Sequence, residues 1–375
     1  MSGDADEITD AERRLDNLTL ARKEGWQRFA TAPTRTQPEV MTRQQITALG
    51  VAARAEYDKA RRIWHANLGP LKTPQLAELH EDLWDIVDSN CQDGDKAKGA
   101  VGIDALPGLG KTTSVLAFAR EFHCREIGDF GTRTAAGHER WPVCRVGLTG
   151  NTGMKEFNRA MLKFYAHPGT ERGTAAQLAD RALDCVLSCE TTLLVVDDLH
   201  FLRMRAQSGV EISNHFKYIA NEFPVTLIFI GVGLAARGLF SEGSSYAAAV
   251  LGQSGRRTTP LGMRPFVVDT EVGRREWRQI LLALEQRLVL ADKHPGMLAD
   301  HLSDYLFARS TGHIGSLMTL INRGCQRAVR TGAERLDTEL LNRVRGDAAA
   351  EKARQELQAA VAARRITTIP MREAV

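Results

Sequence analysis

From residue 99 onward, short apolar runs alternate with stretches whose apolar residues recur every three or four positions. The runs 100–104, 142–149, 192–197, 224–231 and 265–269 are brief, rich in β-branched residues and nearly unbroken, which is the pattern of strands buried on both faces. Helical periodicity fills the gaps near 112–123, 153–166, 175–189 and 210–222, so a mostly parallel sheet is predicted. Residues 168–174, with Gly169 and Gly173, read as a loop, and 233–263 as a Gly/Ser/Arg-rich connection with a short helix. Beyond residue 270 the strand pattern stops. Segments 273–291, 296–309, 314–330 and 336–345 read as helices, as a compact helical lid would. Ahead of the sheet, 42–66 reads as a helix with a basic surface of Arg54, Lys59, Arg61 and Arg62. Thr73-Pro74 then supplies an N-cap and first-turn proline for a helix over 74–89, with Leu76, Leu79, Leu83 and Ile86 at helical spacing. The predicted organisation is a polar, partly ordered arm (1–40), a helical extension (41–98), an α/β domain (99–270), a helical lid (271–346) and a tail (347–375).

Composition narrows the class. A length of 375 residues holds one large or two moderate domains with real cores. With 43% hydrophobic and 25% charged residues the chain reads as a water-soluble globular protein. It has no apolar run of about 18 residues, and its acidic start, Met-Ser-Gly-Asp-Ala-Asp-Glu, is unlike a signal peptide. The six cysteines are scattered without CxxC or Cys/His zinc spacing, so a reduced, cytoplasmic protein without membrane association is expected. A net charge of +3 is too small to argue for nucleic acid; only its distribution can.

The candidate chemistry begins at Ala105-Leu-Pro-Gly-Leu-Gly-Lys-Thr-Thr113, which fits A/G-x-x-x-x-G-K-[ST] between a predicted strand and a predicted helix. In such a phosphate-binding P-loop, glycines let backbone N–H groups turn inward at a helix N-terminus, where the dipole favours anions. Ala105, Pro107, Gly108, Leu109, Gly110, Lys111, Thr112 and Thr113 form the candidate nucleotide-binding set. Lys111 is placed to reach the β/γ-phosphates and the Thr112 hydroxyl to ligate Mg²⁺, with Thr113 secondary. Thr192-Leu-Leu-Val-Val-Asp-Asp198 supplies the second half, because carboxylates just past a central strand project into the crevice where open α/β sheets bind ligands. Asp197 is assigned to Mg²⁺ and Asp198 to polarising the attacking water. ATP and Mg²⁺ are the implied cofactors.

A P-loop sheet of five strands followed by a small helical domain resembles the AAA+ ATPases, and within them the TniB/TnsC-type regulators of bacterial transposition. The likeness spans roughly 60–345. It rests on Arg61-Arg-Ile-Trp-His65 with Lys72-Thr-Pro74, on Val196-Asp-Asp-Leu-His200, on Asn214–Pro224 followed by Leu227–Gly231, and on Thr311–Leu317. It implies an α/β P-loop AAA+ ATPase with a parallel five-stranded sheet, an N-terminal helical extension and a C-terminal lid. It further implies an ATP-driven homo-oligomer, ring or helical filament, on double-stranded DNA that recruits a transposase, with hydrolysis resetting it. Arg256 and Arg257 sit where a neighbouring subunit's arginine finger is expected, a residue that stabilises transition-state charge in trans. A solvated loop dipeptide is the competing account of that pair. The chain also departs from the family. Asp198 holds the place of the usual glutamate base and is one methylene shorter, so slow hydrolysis is expected. Val232 falls at the polar sensor position, and Gly315-Ser316 at the lid arginine.

Duplex DNA without sequence preference calls for a basic face. Lys155, Arg159 and Lys163 are spaced i, i+4, i+8, on one side of a helix, and Arg203 and Arg205 follow the acidic strand end. A helix merely solvated by its charges is the competing account. Two other functions stay open. A partner-activated signalling NTPase would need no DNA. A replication initiator or loader would carry an appended DNA-binding domain after the lid, for which the tail from 347 is too short.

Overall fold

The computed structural model describes residues 19–92, 98–149, 152–199, 216, 218–220, 222–234, 258–363 and 365–371. In chain order the elements are α1 (Lys23–Thr31), α2 (Arg43–Ala48), α3 (Val51–Ala66), α4 (Pro74–Ser89), β1 (Ala100–Asp104), α5 (Lys111–Phe130), β2 (Val143–Gly147), α6 (Met154–Phe164), α7 (Ala175–Ser188), β3 (Leu193–Asp197), β4 (Thr226–Gly231) and β5 (Thr258–Gly262). There follow α8 (Glu271–Arg287), a π-helical turn over Met297–His301, α9 (Ser303–Ser310), α10 (Ile314–Thr331), α11 (Thr338–Asn342) and α12 (Ala348–Ala362). No helix among the described residues is long and apolar enough to cross a membrane. The residues group into two compact units. One is drawn from Met1–Pro33, Glu78–Pro107 and Lys111–Met263, the other from Thr34–Ala77, Gly108–Gly110 and Arg264–Val375.

The first unit is built on a five-stranded, wholly parallel sheet of order β2-β3-β4-β1-β5. Leu193, Leu194, Val195 and Val196 of β3 are fully buried, as are Val101 and Ile103 of β1, which is why these strands read as unbroken apolar runs. Phe118 and Phe122 of α5, Phe157 and Met161 of α6, and Leu178 and Val186 of α7 complete the same core. The fifth strand lies at Thr258–Gly262, not at 265–269. Its Pro260 is tolerated because, among the described residues, β5 pairs only with β1 and forms a sheet edge. The 265–269 run belongs to the second unit. Phe266 and Val268 are buried in that unit's core beside Trp277, while Val267 is 44% exposed. Phe266 N–H donates to Gly312 O at 2.8 Å, and a Cβ on Gly312 (φ +71°) would meet Phe266 O at 2.1 Å. Burial alternates along this continuous apolar run, but nothing local says which core it enters.

The second unit packs α8, α9, α10 and α11 around Trp277, Leu281, Leu306, Leu317 and Ile321. The helix expected over 42–66 is two helices, because Leu49 (ψ 138°) is extended and Gly50 begins the next turn. Thr73 caps α4 as expected, its Oγ1 accepting from Leu76 N–H at 3.1 Å. Arg61 is a correction. It is not on a basic surface but 1% exposed, with Nη1 donating to Glu334 Oε2 (2.7 Å), Nη2 to Glu334 Oε1 (3.0 Å) and Nη2 to Asp58 Oδ1 (2.5 Å). Two parallel bonds to one carboxylate compensate a guanidinium withdrawn from water.

Two buried histidines make the fold acid-sensitive. His123 Nδ1 accepts from Trp26 Nε1 at 3.2 Å, and burial pushes its pKa down to about 4. His65 Nε2 accepts from Val289 N–H at 3.0 Å, and burial, helped by the Arg61 and Lys293 charges, likewise lowers its pKa to about 4. Unfolded imidazoles take up protons below about pH 6.5, whereas these native rings stay neutral until about pH 4. The stability they contribute is therefore complete above pH 6.5 and is lost as pH falls toward 4. Unfolding free energies from urea titrations across pH 7 to 4 are expected to fall over that window by on the order of 3 kcal/mol per histidine. His123→Phe is expected to flatten the slope.

Candidate nucleotide site

The site is assembled where β1 hands over to α5. The strand ends at Asp104, Ala105 is buried, and Gly108 and Gly110 take φ +79° and +84°, left-handed values that favour glycine. Those two turns aim the loop backbone at the start of α5, a 20-residue helix whose first residues are Lys111 and Thr112. Leu109 is buried, while Pro107 and Thr113 are exposed or half-exposed. Lys111 Nζ donates to the carbonyls of Ala105 (2.6 Å) and Leu106 (2.9 Å). Burial pulls its ammonium below the usual lysine range, against the attraction of Asp104, Asp197 and Asp198. Proximity of those three carboxylates to one lysine puts the strand end and the loop into a single electrostatic neighbourhood.

Asp197 closes β3 with 2% of its surface exposed. Its Oδ1 accepts from Thr112 Oγ1 at 3.1 Å and from Asp198 N–H at 3.0 Å. The residues assigned to Mg²⁺ thus lie in direct contact, although 85 positions separate them. A hydroxyl and a carboxylate are hard oxygen donors, and beside them stand a lysine and a helix N-terminus with outward N–H groups. That donor set fits a Mg²⁺-bound polyphosphate. Asp198 follows in the left-handed region (φ +60°), a conformation that aspartate tolerates better than most residues. At the end of β1, separated from β3 by β4, Asp104 Oδ1 accepts Gly233 N–H at 2.7 Å and ties down the turn that carries Val232.

Sequence reasoning missed Arg145. It lies mid-strand in β2, and its Nη2 donates to Asp197 Oδ2 at 2.7 Å. The one signal for it is a charge inside an otherwise apolar strand; the pairing register that brings it to Asp197 is not local.

Of the expected DNA-contacting residues, Lys155 is exposed on α6, whereas Arg159 and Lys163 lie 3.9 and 3.8 Å from Glu171. Arg159 Nε also donates to Thr170 O at 3.2 Å. The three cations share a helix but not an undiluted positive field. Arg203, Arg205, Arg256, Arg257 and His200 lie outside the described residues.

Residues 94–240 match the family model described as an AAA domain (AAA_22). Among solved structures, the chain is similar to the Aeropyrum pernix ORC2 protein in ADPNP-ADP complexes. The TM-score is 0.53 and the identity 15%, covering 80% of this chain and 72% of that one. It is also similar to the Aeropyrum pernix ORC1 protein in complex with DNA, with TM-score 0.51, 17% identity, and coverage of 83% and 73%. No curated protein matches in sequence. The fold is the AAA+ P-loop fold, a five-stranded parallel sheet with flanking helices.

Proposed function

We propose that this AAA-domain chain is a Mg²⁺-dependent ATPase that uses ATP as a switch on duplex DNA. The observation that carries the reading is the 3.1 Å contact between Thr112, in the first turn after the glycine loop, and Asp197, at the end of a buried central strand. Bound Mg²⁺-ATP would supply an electrophilic γ-phosphorus whose charge the cation helps to spread. The chain's own residues do the rest. N–H groups of the loop and of the α5 N-terminus hold phosphate oxygens, Lys111 adds a cation to them, and Thr112 and Asp197 hold the metal. Asp198, one residue past the strand, orients and polarises the attacking water.

The finer reading is that of a cytoplasmic transposition regulator. It assembles as a ring or filament on DNA without sequence preference, with Arg256 or Arg257 entering a neighbour's site, and recruits a transposase until hydrolysis resets it. Its support is the ordered set of segments resembling TniB/TnsC-type ATPases. A second reading, a replication initiator, is favoured by the likeness to the ORC1 protein, which was solved in complex with DNA.

Lys111→Ala is expected to abolish binding of a fluorescent ATP analogue; retained affinity would remove the P-loop assignment. Asp198→Asn keeps a residue that accepts the left-handed turn, and is expected to leave ATP binding intact while lowering turnover at least about tenfold. Unchanged turnover would take the base role from Asp198. Replacing Lys155, Arg159 and Lys163 with glutamate should weaken binding to random-sequence duplex. The log–log salt slope should fall by about 0.9 for every phosphate that is no longer neutralised. Equal affinity and slope would leave the stripe as solvated surface.

A further inference from the structure

Arg145 is the one charged residue of β2, and the sheet register explains its reach. Arg145 pairs with Val195 and Gly147 with Asp197, so Arg145 and Asp197 are diagonal neighbours on one face of the sheet. The guanidinium travels along β2 over Gly147 to get there. A Cβ on Gly147 would meet Arg145 Nη1 at 3.2 Å and Cζ at 3.5 Å, so the glycine leaves the lane open. The arginine side chain is 18% exposed and that of Asp197 3%, which keeps the pair from being screened as a surface ion pair would be. Asp197 divides its oxygens. Oδ1 serves Thr112 and Asp198 N–H, while Oδ2 takes Arg145. Among the described residues the arginine's Nε is buried without a partner, so its side chain is committed to this site through Nη2.

We infer that Arg145 competes with the divalent cation for Asp197 and so sets the Mg²⁺ concentration at which the nucleotide complex forms. This rests on the nucleotide reading above. A fixed positive charge 2.7 Å from Oδ2 partly neutralises the carboxylate and repels a second cation brought to its Thr112 side. The threshold for metal is therefore higher than Thr112 and Asp197 alone would give. Magnesium binding and release of the Arg145–Asp197 pair become two sides of one equilibrium. Arg145 acts through Asp197 and is a positioning residue, not a catalytic one.

The test is the unfolding midpoint of the full chain at saturating ADP, measured across a series of free Mg²⁺ concentrations. Arg145→Met is expected to lower the half-saturating Mg²⁺ at least about tenfold, while Arg145→Lys, which keeps the charge, stays close to the original chain. Gly147→Val leaves Arg145 in place but fills its lane, and is expected to shift the threshold in the same direction. Should Arg145→Met not fold, because an uncompensated buried carboxylate is destabilising, Arg145→Gln, which removes the charge but keeps amide N–H donors, carries the test with the same expected shift. An unchanged or raised threshold in the variants overturns the inference. If ADP and Mg²⁺ leave the midpoint of the original chain unmoved while the chain is folded, the nucleotide reading itself fails and this inference falls with it.

Discussion

A carboxylate almost wholly withdrawn from water at the end of a central strand is the constraint on which the first unit turns. Burying the Asp197 charge without partners would be prohibitive, so three groups from three places must converge on it. Thr112 comes from the first turn of α5, the N–H of Asp198 from the residue just past β3, and Arg145 from the adjacent strand. Satisfying one anion therefore fixes the register of β2 on β3 and the approach of α5 to the sheet. The same arrangement places a hydroxyl, a carboxylate and a lysine at the carboxyl ends of parallel strands, where open α/β sheets bind ligands. Structural necessity and chemical opportunity coincide at that atom pair.

The second unit solves a similar problem without chemistry in view. Arg61 and Glu334 bury opposite charges against each other, and Ala291 N–H adds a bond to Glu334 Oε2 at 3.1 Å. A pair of this kind contributes little net stability over well-packed apolar residues, yet breaking one partner costs about 3–5 kcal/mol. Its effect is to fix which face of α3 meets the segment after α10. His65, on the same helix, does likewise through Val289.

What the sequence disclosed and what it hid follow from the range of each interaction. The glycine loop, the apolar run of β3 and the acids that end it are written in consecutive residues; β1 at 100–104 coincides with its predicted run, and β3 at 193–197 begins one residue inside the predicted 192–197. The fifth strand is misplaced by sequence because the continuous apolar run Phe266-Val267-Val268 reads as a strand in either core, and only non-local contacts, with Gly312 and Trp277, decide. Arg61 reads as surface because its partner stands 273 residues away, and Arg145 escapes notice because strand register is invisible from within β2. Charges reveal themselves by type in a sequence but by partner only in a fold.

The left-handed turn at Asp198 has an evolutionary side. Aspartate and asparagine ease a φ of +60° by hydrogen bonding locally to their own backbone, yet the chain also holds glutamates at φ +49° (Glu190) and +54° (Glu334), so the turn narrows the choice at this position without forbidding the longer acid. Drift at this codon is channelled. A step to asparagine or glycine keeps the turn with ease and discards the carboxylate, while a step to glutamate keeps the carboxylate in a turn that it enters less readily than aspartate does. Loss of the carboxylate here is therefore a change that the backbone of this turn tolerates.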